Sequence, residues 1–176
     1  LRGNFLSVAV AISLLLDPVA TASVREIWHR MAELGISSSM LDLHYPPHLT
    51  LIVVEEEGLA GQLDRALPDL AQDARLNLAL GPPGRFVDTD VVWLGVDGAG
   101  LRELQAKAAA LVGDAAIAPH YRPDAWMPHV TLQTAGHADA ALELAHTMWP
   151  VQQAAEVRTI ELVGFSPIVT LKRLGV

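Results

Sequence analysis

Tyr45-Pro46-Pro47-His48-Leu49-Thr50-Leu51-Ile52-Val53-Val54 holds a motif that opens with a histidine and a threonine two apart and closes as an apolar run. Two prolines precede it and Glu55-Glu56-Glu57 follows as a solvated exit. Residues 49–54 therefore read as a strand that is apolar on both faces beyond its start and is covered on both sides. The front of this stretch recurs 81 residues later as Trp126-Met127-Pro128-His129-Val130-Thr131-Leu132. Both copies carry the frame Pro-His-x-Thr-Leu, with an aromatic residue three before the histidine. Seven histidines and eight threonines in 176 residues give roughly 0.3 His-x-Thr triplets by chance. Two triplets inside matching frames mark a functional repeat.

Side chains alternate faces along a strand, so residues i and i+2 point the same way. His48 and Thr50 share one face, His129 and Thr131 another, while Leu49, Leu51, Val130 and Leu132 anchor the opposite faces in the core. If the two strands meet across a cleft, two imidazoles and two hydroxyls converge on one small volume. A neutral histidine takes a proton from water and a protonated one gives a proton to a leaving oxygen. The threonine hydroxyls donate hydrogen bonds to an oxyanion while charge builds on it. His48, Thr50, His129 and Thr131 are the candidate catalytic groups.

Working outward, residues 6–16 read as a buried strand stopped by Asp17-Pro18. With Arg2 before it and small residues after it, this run also imitates a secretory leader, but β-branched residues, a proline stop and a capped helix in sequence favour the strand. Ser23 and Glu26 have capping-box spacing, and Val24, Ile27, Met31 and Leu34 then mark one helical face up to Gly35. A helix over 63–74 is interrupted by Pro68, which predicts a kink or two short pieces. Strands are expected at 76–80 and 90–96, joined by a turn-rich loop, Gly81-Pro82-Pro83-Gly84. A helix over 101–111, a loop over 119–128, a strand over 129–133 and a helix over 138–148 follow. Strands at 157–165 and 169–174 form a hairpin through Ser166-Pro167. Helices and strands mix without strict alternation, so the fold class is α+β with antiparallel pairing, in a single domain over 1–176.

The composition narrows the chemistry. A formal charge of −8 with no basic stripe argues against an extended nucleic-acid surface, because phosphate neutralisation supplies most of that affinity. No cysteines are present, which excludes disulfides and thiolate zinc sites. His44 and His48 would need a helix to share a metal, and Pro46-Pro47 forbids a regular one; no metal or cofactor is expected. The run at 6–16 is shorter than the ~20 residues a membrane span takes, so no membrane partner is expected. Tyr45 and Trp126 are candidates for stacking on a base or flanking the cleft, against plain packing in their own surroundings. Arg122 and Arg85 lie on loops where a guanidinium can meet phosphate. His29, His137 and His146 fall on predicted helices or their flanks, where no chemistry is expected.

Paired His-x-Thr motifs with a proline before and an apolar residue after resemble the two-histidine (2H) phosphoesterase superfamily, including the bacterial 2′-5′ RNA ligase/cyclic phosphodiesterase-like proteins. The likeness extends to the first strand and helix, to Val91-Val92-Trp93-Leu94-Gly95-Val96 and to Glu161-Leu162-Val163-Gly164-Phe165-Ser166. It implies two pseudo-symmetric lobes, each an antiparallel sheet with outer helices, enclosing a central cleft with one motif per lobe. It also implies metal-independent opening of cyclic phosphodiesters such as nucleoside 2′,3′-cyclic phosphates or RNA ends. The implied partner is a small nucleotide or RNA end carrying a cyclic phosphate, and the expected state is a cytoplasmic monomer. The alternatives are 2′-5′ RNA ligation and a non-catalytic module that binds nucleotides or RNA ends. No aromatic follows Ser166 where many members carry a tyrosine, and Ser166 itself reads as a turn residue.

Overall fold

The structure, a computed structural model, describes residues 9–165 and 167–176. In chain order the elements are β1 (Ala9–Leu16), α1 (Pro18–Glu33), α2 (Ser39–Asp42), β2 (His48–Val54), α3 (Ala60–Asp73), β3 (Asn77–Arg85), β4 (Val92–Asp97), α4 (Leu101–Ala110), β5 (His129–Gln133), α5 (Ala138–Met148), β6 (Gln153–Phe165) and β7 (Val169–Gly175). All strand pairings are antiparallel, as the mixed pattern predicts. Ser166 and residues 6–8 of the first expected strand lie outside the described residues.

The strands form one sheet in the order β1-β2-β5-β4-β3-β6-β7, and an additional β1–β6 pairing closes six of them into a ring. Two separate sheets enclosing a cleft are therefore not what the strands build. The reason lies in β6. The sequence reading starts this strand at Val157, but it begins at Gln153, and the extra turn-free residues Gln153–Glu156 pair with β3. From Val157 to Phe165 the same strand pairs with β1, and from Thr159 to Gly164 with β7. One 13-residue strand thus pairs with both ends of the open sheet β1-β2-β5-β4-β3 and closes it, and the closure satisfies backbone groups that open edges leave unpaired.

Between the sheet and the helices lies one large core that includes Ile12, Leu14, Leu49, Leu51, Leu94 and Val130, packed under Trp28 and Met31 of α1 and Leu63 and Leu67 of α3. Three local expectations are corrected. First, α1 starts not at Ser23 but at Pro18, capped by Asp17, whose Oδ1 accepts from the amides of Val19 (2.9 Å) and Ala20 (3.0 Å). Proline at the first helical position loses no intrahelical bond, so Asp17-Pro18 is a helix start, and the Ser23 hydroxyl instead donates back to the Val19 carbonyl. Second, Gly81-Pro82-Pro83-Gly84 is no connecting loop. It lies within β3, across a register shift between Leu80 and Pro83, with a cis Gly81-Pro82 bond; an irregular pairing tolerates residues with no amide to donate. Third, of the kink or two short pieces expected at Pro68, the two pieces are ruled out, because α3 is one helix through Pro68. Pro68 leaves the carbonyl of Asp64 without its helical partner, and Lys172 Nζ of β7 donates to that oxygen at 2.7 Å. Among the described residues no helix is long and apolar enough to cross a membrane.

Candidate active site

His48 and His129 each stand at the first position of a strand, β2 and β5. The two strands meet at Leu49 and Val130, both fully buried. Directly opposed residues of an antiparallel pair point to the same face, so Leu49 and Val130 both enter the core. His48, Thr50, His129 and Thr131 therefore lie together on the other face, and all four are half-buried. Continuing that register places His48 beside Thr131 and Thr50 beside His129. The quartet is related by an approximate twofold axis through the Leu49–Val130 pair.

The same relation governs what holds it. His48 Nδ1 lies 2.8 Å from the Pro46 carbonyl, and His129 Nδ1 lies 2.8 Å from the Met127 carbonyl. A carbonyl only accepts, so each Nδ1 carries the hydrogen, and the neutral rings keep Nε2 free for proton transfer. Trp28 donates its indole N–H to the Thr131 carbonyl at 3.2 Å, and Trp126 donates to the Thr50 carbonyl at 3.0 Å. Each motif threonine is thus tied at its main chain by a tryptophan from elsewhere in the chain.

The surroundings of the two rings differ. Tyr45 packs T-shaped on His48 with centroids 4.7 Å apart, and its hydroxyl donates to Glu161 Oε2 at 2.6 Å. Glu161 is fully buried on β6 and takes a second bond from Arg173 Nε of β7. Phe86 occupies the corresponding position on His129, T-shaped at 5.1 Å. Burial lowers the pKa of both histidines below the ordinary imidazole value, and the carbonyl at each Nδ1 opposes that shift. The charge of His129 lowers His48 further, while Glu161 opposes. Burial, and then Glu161, push the Tyr45 hydroxyl far above its usual value, so it remains a donor.

The structure brings together the four residues of the duplicated motif and gives the other candidates different surroundings. Tyr45 is 6 % exposed and Trp126 is 4 % exposed, so both rings are packed away and touch the motifs from behind. Arg122 donates to the Ile117 carbonyl of its own loop at 3.3 Å. Arg85 bonds the Thr89 carbonyl and pairs with Asp139 at 2.8 Å. Sequence reasoning missed Trp28, Phe86, Glu161 and Arg173. For Glu161 a signal was present: a carboxylate flanked by Ile160, Leu162 and Val163 in a strand requires a polar partner once buried. Beside the quartet, a groove of about 600 Å³ is lined by Trp93, Gly95, Met127 and Pro128 among others; Trp93 and Gly95 are the β4 partners of Thr131 and His129. Among the described residues no three histidine or acidic side chains are grouped to hold a metal ion.

The family model of the 2′-5′ RNA ligase superfamily matches residues 18–165, a span that contains both motifs. No curated protein matches the sequence. Among solved structures, Escherichia coli LigT complexed with 3′-AMP is 21% identical with a TM-score of 0.63, covering 96% of this chain and 98% of that one. LigT complexed with NADP+ is 21% identical with a TM-score of 0.61, covering 97% and 98%. A Thermus thermophilus protein is 17% identical with a TM-score of 0.62, covering 95% and 97%. These likenesses establish a shared fold over nearly the whole chain.

Proposed function

The chain belongs to the 2′-5′ RNA ligase superfamily of two-histidine phosphoesterases, and from that premise we propose that it opens cyclic phosphodiesters, of the nucleoside 2′,3′-cyclic phosphate or RNA-end type, without a metal. The observation that carries this reading is the facing quartet, with each histidine fixed at Nδ1 and free at Nε2. One neutral imidazole removes a proton from water as its oxygen bonds to phosphorus. The other, protonated, delivers its proton to the ribose 3′ oxygen as that P–O bond breaks, and the product is the 2′-phosphate. The Thr50 and Thr131 hydroxyls donate to the non-bridging oxygens, where charge grows. Both proton transfers are supplied by the imidazoles, so the step requires no Lewis acid.

The substrate is a small nucleotide or strand end. LigT is described with 3′-AMP and with NADP+, and the −8 charge of this chain disfavours long polyanions. Ligation to a 2′,5′ linkage is the same displacement with the 5′-hydroxyl of a second strand in place of water: its oxygen bonds to phosphorus as the P–O bond to the 3′ oxygen breaks. The test is turnover of 2′,3′-cyclic nucleotides by chelator-treated, desalted protein, with identification of the phosphate isomer formed. Production of the 2′-phosphate is expected. Binding without turnover across a panel of cyclic phosphodiesters would replace this reading with that of a binding module.

A further inference from the structure

The two histidines share a motif, a strand position and an Nδ1–carbonyl bond, yet among the described residues only His48 is backed by charge. Behind His48 stand Tyr45, Glu161 and Arg173 in a connected row: ring on ring at 4.7 Å, hydroxyl to carboxylate at 2.6 Å, and guanidinium to carboxylate. Behind His129 stands Phe86. A fully buried carboxylate is costly to desolvate, and β6 keeps one between Ile160 and Leu162, which are themselves in the core. A structural tie between β6 and β7 does not require it, since the backbones of the two strands are already paired at Glu161 and Arg173.

We infer that Glu161 is a positioning residue for His48, acting through Tyr45 and moderated by Arg173, that favours the imidazolium form of His48 and has no counterpart at His129 among the described residues. This inference rests on the catalytic reading of the pair. Tyr45 is fixed by its bond to the carboxylate, and the His48 ring is fixed against Tyr45. The negative charge reaches His48 through a buried region in which charges interact more strongly than in water. The titratable groups around His48 are Tyr45 from the preceding loop, Glu161 from β6 and His129 from β5. Leu15, its partner on β1, contributes no charge. Arg173, with 59% of its side chain exposed, neutralises part of the carboxylate from the solvent side. Ser13 is the strand neighbour of both Glu161 and Thr50.

The deciding measurement is a site-resolved NMR titration of the His48 and His129 rings in the full chain, which needs no turnover and so does not depend on the correct choice of substrate. Glu161→Gln keeps an acceptor for Tyr45 and removes the charge. The His48 midpoint is expected to fall while that of His129 stays in place, and one limb of the kcat/KM profile is expected to move with it. Arg173→Gln, at the exposed end of the row, uncovers the carboxylate and is expected to raise the His48 midpoint; it provides the test if Glu161→Gln does not fold. Thermal destabilisation with both histidine midpoints unmoved, or an equal shift of both, would overturn the inference and leave the row a purely structural tie.

Discussion

The indole N–H of Trp126 donates to the main-chain carbonyl of Thr50, 76 residues earlier in the chain. The aromatic residue ahead of the second motif thus steadies the threonine of the first. Trp126→Phe keeps the ring and removes the donor, leaving a carbonyl unpaired in the core. A loss of about 1–3 kcal/mol of stability is expected, with a lower kcat and a little-changed KM. Urea unfolding and steady-state kinetics on the same preparation check both.

Removal of either imidazole, by His48→Ala or His129→Ala, should cost roughly 10²-fold or more in kcat/KM, because general acid–base catalysis is typically worth 10²–10⁴-fold. The double variant should be far less than multiplicatively worse, since the pair acts as a unit. Thr50→Val and Thr131→Val keep shape and lose a donor, so a milder loss in kcat is expected with the fold intact by circular dichroism. Near wild-type turnover in both histidine variants would remove the catalytic assignment.

Both histidines are held below the ordinary value of 6.5, chiefly by burial. The unfolded chain therefore takes up these protons first as pH falls below that value. The stability contribution is intact above it and is lost as pH drops through the folded-state values. Between about pH 7.5 and about pH 5, the wild-type urea midpoint should fall more steeply than that of His48→Asn/His129→Asn. The kcat/KM profile should be a bell with its maximum on the acid side of neutrality, its limbs belonging to the pair together.

Asp17 ties the start of α1 to β6, since its second oxygen accepts from the Glu156 amide at 2.8 Å. Its burial acts to raise the carboxyl pKa, but the amides of Ala20, Glu156 and Val19, with Arg158, hold it below 3.8. Asp17→Ala should cost about 1 kcal/mol or more, as for the loss of a helix cap. The native contribution is present above pH 3.8 and vanishes as pH falls through the folded value. The variant should therefore lie closest to wild type in the most acidic denaturation curves.

Lys172 and Pro68 should be energetically coupled although they do not bond to each other. Lys172→Met leaves the Asp64 carbonyl orphaned. Replacing Pro68 by Ala restores an amide that can satisfy that oxygen. In a double-mutant cycle, Lys172→Met should cost less in the Pro68→Ala background than alone. Equal costs in the two backgrounds would show the contact to be incidental.

What could be read from the chain without coordinates followed physical locality. The duplicated frame carried the quartet, because alternation along a strand is a property of neighbouring residues. The α+β class followed from periodicity in the same way. The closed ring was hidden because Gln153-Ala154-Ala155-Glu156 has little β-propensity of its own, and its pairing with Asn77–Leu80 is entirely tertiary. Asp17 was misread because an aspartate followed by proline is equally apt to end a strand or to start a helix. Trp28, Glu161 and Arg173 stayed unassigned because each reaches the site from a distant element, through a contact that no local spacing encodes.

The approximate twofold axis through Leu49 and Val130 has a consequence for regiochemistry. A cyclic phosphate turned half a revolution about that axis meets an imidazole and a hydroxyl wherever it met them before. The quartet by itself cannot distinguish which of two ribose oxygens departs. That choice falls to whatever breaks the symmetry: Tyr45 against Phe86 at the ring edges, and the groove along Trp93 and Gly95 that lies on the His129 side. Substitutions that change the isomer produced, rather than its rate of formation, are accordingly expected outside the four motif residues.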